Sequence, residues 1–214
     1  MQIVSYLRIR EVLFLAIDEI VNLRYTQHFN ERYLHHFFSH EIQKDVPLYF
    51  SSQTQLHPEW ATYRRGNVSY GGKYKKYDSK YKIDDHSGTS GFIDFAIGDI
   101  EKPYFAIEFK MSDTFDKHGV AYDYLKLLDK KNPFSVVVSF VVYYGLKSKS
   151  RAVTVDKLNG IFNSALGELK KGRFDNNREY YFFVVEVNQT SCIVYERCNK
   201  DESFHITSEY RHDC

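Results

Sequence analysis

The chain has 214 residues, of which 43% are apolar, 17% aromatic and 27% charged. That excludes an intrinsically disordered chain and a small scaffold needing disulfide or zinc staples, and it fits one large globular domain. With 29 Lys and Arg against 28 Asp and Glu the formal charge is +1, so no whole-molecule field draws in nucleic acid or a membrane surface.

Residues 4–24 carry Leu7, Leu13, Ile17, Ile20, Val21 and Leu23 at helical intervals, which predicts a mostly buried N-terminal helix. Its longest apolar run, 12–17, is too short to span a bilayer and lacks the flanks of a signal peptide. Asn30 ahead of Glu31, Arg32 and Tyr33 is a helix start. The segment NERYLHHFFSHEIQK then places Leu34, Phe37, Phe38 and Ile42 on one face. Residues 51–90 are polar, rich in Tyr, Lys, Ser and Gly, and weakly periodic. They predict a long insertion or hairpin, with Leu56-His57-Pro58-Glu59-Trp60 as a helix start or structural turn. Here the neutral total breaks down. Residues 63–83 hold Arg64, Arg65, Lys73, Lys75, Lys76, Lys80 and Lys82 against Asp78 alone, a local +6 that leaves −5 for the remaining 193 residues. The stretch also holds five tyrosines. Cations for phosphates interleaved with rings for bases predict contact with nucleic acid.

The second half is more regular. GFIDFAIG (91–98) and YFAIEFK (104–110), joined by a turn at 99–103, predict a hairpin. Residues 116–130 predict a helix with Val120, Tyr124, Leu127 and Leu128 on one face. FSVVVSFVVYY (134–144) is β-branched and aromatic with almost no polar alternation, as in a buried central strand. Residues 156–171 predict an amphipathic helix ending at Gly172. EYYFFVVEV and SCIVYERC predict two final strands. The order of elements is α/β.

Side chains alternate along a strand. In YFAIEFK, Phe105, Ile107 and Phe109 face one way, Glu108 and Lys110 the other. In GFIDFAIG, Ile93, Phe95 and Ile97 face one way and Asp94 the other. If the strands pair, Asp94, Glu108 and Lys110 share a face. Carboxylates supply hard oxygens for Mg²⁺, which lowers the pKa of its bound water and offsets charge on a phosphate. A neighbouring lysine orients that water or stabilises the charge that develops.

The Asp94…Glu108-Phe109-Lys110 arrangement resembles the PD-(D/E)XK nuclease superfamily over residues 30–145. Ile93-Asp94 stands where many members have Pro-Asp, and the Glu-x-Lys half is intact. The resemblance implies a restriction-endonuclease-like core, a central mixed β-sheet flanked by helices, and a metal-dependent endonuclease acting on DNA in preference to RNA. It implies Mg²⁺ or Mn²⁺ held by Asp94, Glu108 and the backbone carbonyl of Phe109, with Lys110 positioning the attacking water. Many members add a glutamate from the first core helix. Glu41 ranks first, sharing the inward stripe with Leu34, Phe37 and Phe38, and Glu31 is the reserve. Lys126, on the helix after the motif, and the basic 64–82 stretch would hold the nucleic-acid backbone. A homodimer follows by analogy with double-strand cutters, and restriction, phage defence, mobile-element processing or a viral polymerase segment would suit such a nuclease.

Other features rank lower. Asp84, Asp85 and Asp99 lie in loop-like sequence. His36 and His40, one helical turn apart beside His35, could ligate metal, as a helix histidine does in viral cap-snatching relatives. Cys192, Cys198 and Cys214, with His205 and His212, match no usual zinc spacing. Three cysteines make an odd count without a disulfide framework, so a reducing cytoplasm is the expected compartment. The alternatives are a nucleic-acid-binding or interaction module that keeps the fold without the chemistry, and a structural partner protein using its aromatic surface.

Overall fold

The computed structural model describes residues 5–22, 30–45, 55–62, 92–145, 151–169, 174 and 177–211. Its elements in chain order are α1 (Tyr6–Asn22), α2 (Glu31–Gln43), β1 (Gln55–Ala61), β2 (Phe92–Gly98), β3 (Pro103–Ser112), α3 (Lys117–Leu128), β4 (Val136–Tyr144), α4 (Val155–Leu169), β5 (Glu179–Val187), β6 (Ser191–Cys198) and β7 (His205–Arg211). The seven strands form one mixed sheet in the order β1 to β7. β1–β2–β3 and β5–β6–β7 are antiparallel. α3 and α4 return the chain so that β3, β4 and β5 run parallel. The fold is therefore α/β, a mixed sheet flanked by helices.

Each face of the sheet has its own core. On one side α1 buries Ile9, Val12, Leu13, Ala16, Ile17 and Ile20, a stripe with the three- and four-residue spacing of an amphipathic helix. Beside it α2 buries Leu34, Phe38 and Ile42, one residue per turn, and starts where the Asn30 side chain accepts from the Tyr33 N–H at 3.1 Å. On the other side α3 and α4 cover Ala106, Val137, Val141, Phe182 and Val184, and Tyr124 stacks on Phe182 with centroids 4.2 Å apart. β4 is buried from Val136 to Val142, because both its faces are covered. Arg178, 2% exposed, closes the turn after α3 by donating to the carbonyls of Leu127, Asp129, Asn132 and Phe134.

Two strands lie outside the sequence expectation. Residues 55–61 are not a helix start or turn but edge strand β1, running from Gln55 opposite Gly98 to Ala61 opposite Phe92. Pro58 is tolerated there because an edge strand leaves N–H groups unpaired, and Trp60 anchors the strand through a bond to the Ile100 carbonyl (2.9 Å) and an edge contact with Phe134. β7 is largely exposed, so it carries no buried alternation to read. The β2–β3 turn needs Gly98: its φ is +134°, and a Cβ there would lie 2.7 Å from the Tyr104 nitrogen. Among the described residues no helix is long and apolar enough to cross a membrane.

Candidate active site

β2 and β3 pair from Gly98–Pro103 to Phe95–Ile107. One step further in that register Asp94 stands opposite Glu108. From there carboxylates take over as partners of the backbone. The Asp94 N–H donates to Glu108 Oε2 (3.2 Å), the Phe109 N–H to Asp94 Oδ2 (2.7 Å), and the Met111 N–H to Glu31 Oε2 (3.1 Å). Amides leaving a ladder must find acceptors, and three acidic side chains supply them. A strand residue's N–H and C=O leave from the same edge, so the Phe109 carbonyl faces the same gap between the strands. Glu59, at the β1 position facing Asp94, has a φ of 51°, a left-handed backbone that costs a non-glycine residue roughly 1–2 kcal/mol.

On the α3 side, Glu108 is only 3% exposed and its Oε1 is in contact with the Lys126 ammonium. Lys126 Nζ also lies 3.2 Å from Asp123 Oδ1 and donates to the Phe92 carbonyl at 3.0 Å. Lys110 Nζ is 3.7 Å from Asp123 Oδ2. Acid and base therefore alternate as Glu108, Lys126, Asp123, Lys110. Burial pushes the Asp123 pKa well above the carboxylate range; Lys110 opposes this, and Asp94, Glu31 and Asp116 reinforce it. Burial pulls Lys126 down to about 8, against the attraction of Asp94 and Glu31.

On the α2 side, His35 Nε2 is 3.5 Å from Asp94 Oδ2, and the ring packs against Phe95 and Phe109. Burial alone would lower the His35 pKa; the bond and charge of Asp94, then Glu31 and Glu59, outweigh it and raise it. A cavity of about 380 Å³ opens here between α2 and the β1–β2 edge, with Arg32, His35, His36, Glu59 and Asp94 on its wall.

The structure thus brings together Asp94, Glu108, Lys110, the Phe109 backbone and Lys126. Asp94 lies in the gap between strands and reaches toward α2, rather than standing beside Lys110 on one flat face. Lys126 is engaged by Glu108 and Asp123, not presented outward to a nucleic-acid backbone. Glu41 is not part of the group. Its Oε1 accepts from Lys44 Nζ at 2.6 Å, and ten helical residues separate it from Glu31, about 15 Å. Glu31, the reserve, reaches β3, because the N-terminal end of α2 overlies the strand. Its signal in the sequence is the three-residue spacing to Leu34. His36 and His40 are exposed, and His35 is the histidine on Asp94. Nothing in the spacing singled out Asp123 as the buried link between the lysines.

Asp99 accepts from the Glu101 N–H within the β2–β3 turn, away from the carboxylates. Cys192 and Cys198 lie six residues apart on β6, about 20 Å, too far to share a zinc ion. Arg64, Arg65, Lys73, Lys75, Lys76, Lys80, Lys82, Asp84, Asp85, His212 and Cys214 lie outside the described residues. The donors at the β2–β3 gap are all hard oxygens, the chemistry that suits Mg²⁺ or Mn²⁺. Among the described residues, no three His, Cys, Asp or Glu side chains are grouped as a ready-made metal site. Comparison of the chain with protein-family models, with curated proteins and with solved structures finds no match.

Proposed function

We propose that this protein is a metal-dependent endonuclease of the PD-(D/E)XK type with a restriction-endonuclease-like core. The observation that carries the reading is the parting of β2 and β3 at Asp94 and Glu108, cross-strand neighbours, with Lys110 two residues further on. Asp94, Glu108 and the Phe109 carbonyl would hold Mg²⁺ or Mn²⁺, supported by Glu31 in the role expected of Glu41. The bound ion would supply an acidified water and offset charge on the phosphodiester. Lys110 orients the attacking water, and Asp123, between the two lysines, fixes where its ammonium stands. The basic residues between Arg64 and Lys82 precede β2 in the chain and supply phosphate contacts. The substrate is nucleic acid, DNA ahead of RNA, and cleavage of both strands of a duplex would call for a homodimer.

A second reading is a nucleic-acid-binding or interaction module of the same fold without chemistry. What favours it is the ammonium already seated on Glu108, with no three-ligand group among the described residues. The test is cleavage of plasmid DNA, single-stranded DNA and RNA in Mg²⁺ or Mn²⁺, wild type against Asp94→Ala, Glu108→Ala and Lys110→Ala. Each variant should lose about 10²-fold or more. Full activity in all three would sink the nuclease reading. Nucleic-acid binding without cleavage or Mn²⁺ uptake would select the second.

A further inference from the structure

The Lys126 ammonium occupies a cage of three oxygens from three elements: Glu108 Oε1 on β3, Asp123 Oδ1 at 3.2 Å on α3, and the Phe92 carbonyl at 3.0 Å on β2. The ammonium donates to the Phe92 carbonyl and is ion-paired with the two carboxylates. Its side chain is only 12% exposed, so this is not a surface lysine that happens to lie near an acid. The surrounding charge explains why a cation is needed. Glu108, Asp123, Asp94 and Glu31 converge on the open end of β3, and Lys110 would be left to face them if Lys126 were absent. Close carboxylates without a counter-charge repel one another. The cage also spans the parting of the two strands, since its oxygens come from β2, β3 and the helix that follows.

We propose that Lys126 is a built-in counter-ion: it neutralises the acidic end of β3 in the metal-free protein and is displaced from Glu108 when a divalent cation binds. This rests on the metal-dependent reading above and adds regulation of the same site. Glu108 Oε1 faces the ammonium and Oε2 faces Asp94, so a cation held by Asp94 and Glu108 draws on the same carboxylate charge as the ammonium, and the two compete. Displacement costs the ammonium its ion pair with Glu108, while the Asp123 and Phe92 oxygens lie beside it. Ion uptake therefore opposes the contact that holds α3 to β3, and the affinity of the site for metal is set partly by a residue that is not a ligand.

The experiment is Mn²⁺ titration calorimetry on wild type, Lys126→Met and Lys126→Arg, together with acetylation footprinting of wild-type lysines by mass spectrometry. Lys126→Met removes the competing charge and should bind Mn²⁺ about tenfold tighter or more, with a lower melting temperature in EDTA. Lys126→Arg keeps the charge and should stay within a fewfold of wild type. In the footprint, Lys126 should be protected in EDTA and acetylated more rapidly once Mn²⁺ saturates the protein, a readout that stands even if the Met variant fails to fold. Mn²⁺ uptake by wild type, with Lys126→Met binding equally or more weakly, or with no change in Lys126 labelling, overturns the counter-ion and leaves the metal site standing. No Mn²⁺ uptake by either wild type or Lys126→Met overturns the metal reading and the counter-ion together.

Discussion

Gly119, in the first turn of α3, is where the position of Lys110 can be moved with least damage elsewhere. A Cβ built there would lie 2.5 Å from Asp116 Oδ2, 2.6 Å from Lys110 Cε and 2.7 Å from Lys110 Nζ. Ordinary contact begins near 3.4 Å, so the ammonium must retreat by about 0.7 Å. The colliding atoms are the ends of flexible side chains, which swing away at little cost to the backbone. Asp116 caps α3 by accepting from the His118 and Gly119 N–H groups at 3.1 and 3.0 Å, and weakening that cap costs about 1 kcal/mol. Alanine in place of a helical glycine returns about 1 kcal/mol. Gly119→Ala should therefore change stability by less than about 1 kcal/mol, a Tm shift within roughly 2–4 °C for a chain of this size. Misplacing a reacting group by about 1 Å can cost on the order of 10²-fold in rate, so kcat/KM for cleavage should fall about 10- to 100-fold. Gly160→Ala is the control, since no atom lies within 4 Å of a Cβ there. It should cleave normally. Differential scanning fluorimetry and a fluorescent-oligonucleotide cleavage assay read the two quantities. Full cleavage by a folded Gly119→Ala would refute the idea that Lys110 must stand where Gly119 lets it stand.

Glu31→Gln should reduce cleavage at least tenfold, whereas Glu41→Gln should cleave as wild type; the same oligonucleotide assay separates them, and the reverse ranking would restore Glu41. Arg178→Met removes the buried guanidinium that donates to the Leu127, Asp129, Asn132 and Phe134 carbonyls, with Asp129 keeping the Asn132 N–H, and should cost about 3–5 kcal/mol in urea unfolding. Asn30→Ala should lose about 1 kcal/mol through the α2 cap. Burial pushes the Cys192 thiol up to about 12 from 9.0. The folded state then holds a proton that the unfolded state releases, so this thiol lowers stability as pH rises past 9. Its share is about 1.4 kcal/mol at pH 10, and chemical denaturation of wild type against Cys192→Ala at pH 8 and pH 10 should show that difference in slope.

The paired strands of the site were legible because two carboxylates interrupt apolar alternation at fixed positions. Asp94 and Glu108 fall out of step with Ile93, Phe95, Ile107 and Phe109, and the Asp99–Lys102 turn sets the register that places them opposite one another. α1, α2, α3 and α4 were legible from apolar residues that recur at three- and four-residue intervals. β1 and β7 were not, for a common reason: edge strands bury little, so neither Pro58 and Glu59 nor the exposed Thr207 and Glu209 leave a two-residue pattern. Within α2, spacing puts Glu41 ahead of Glu31, on the stripe with Leu34, Phe37 and Phe38. What decides is which end of the helix lies over the parting strands, a tertiary fact. The same holds for Lys126 and Asp123. On the helix they are an ordinary i, i+3 pair, and only the packing of α3 against β3 turns them toward Glu108.

The most direct measurement is anomalous diffraction from crystals of the protein soaked in Mn²⁺. An anomalous peak bonded to both Asp94 and Glu108, with the Lys126 ammonium withdrawn from Glu108, is the expected result. A peak elsewhere, with Lys126 still on Glu108 at saturating Mn²⁺, would contradict a metal-dependent phosphodiesterase centred on these strands.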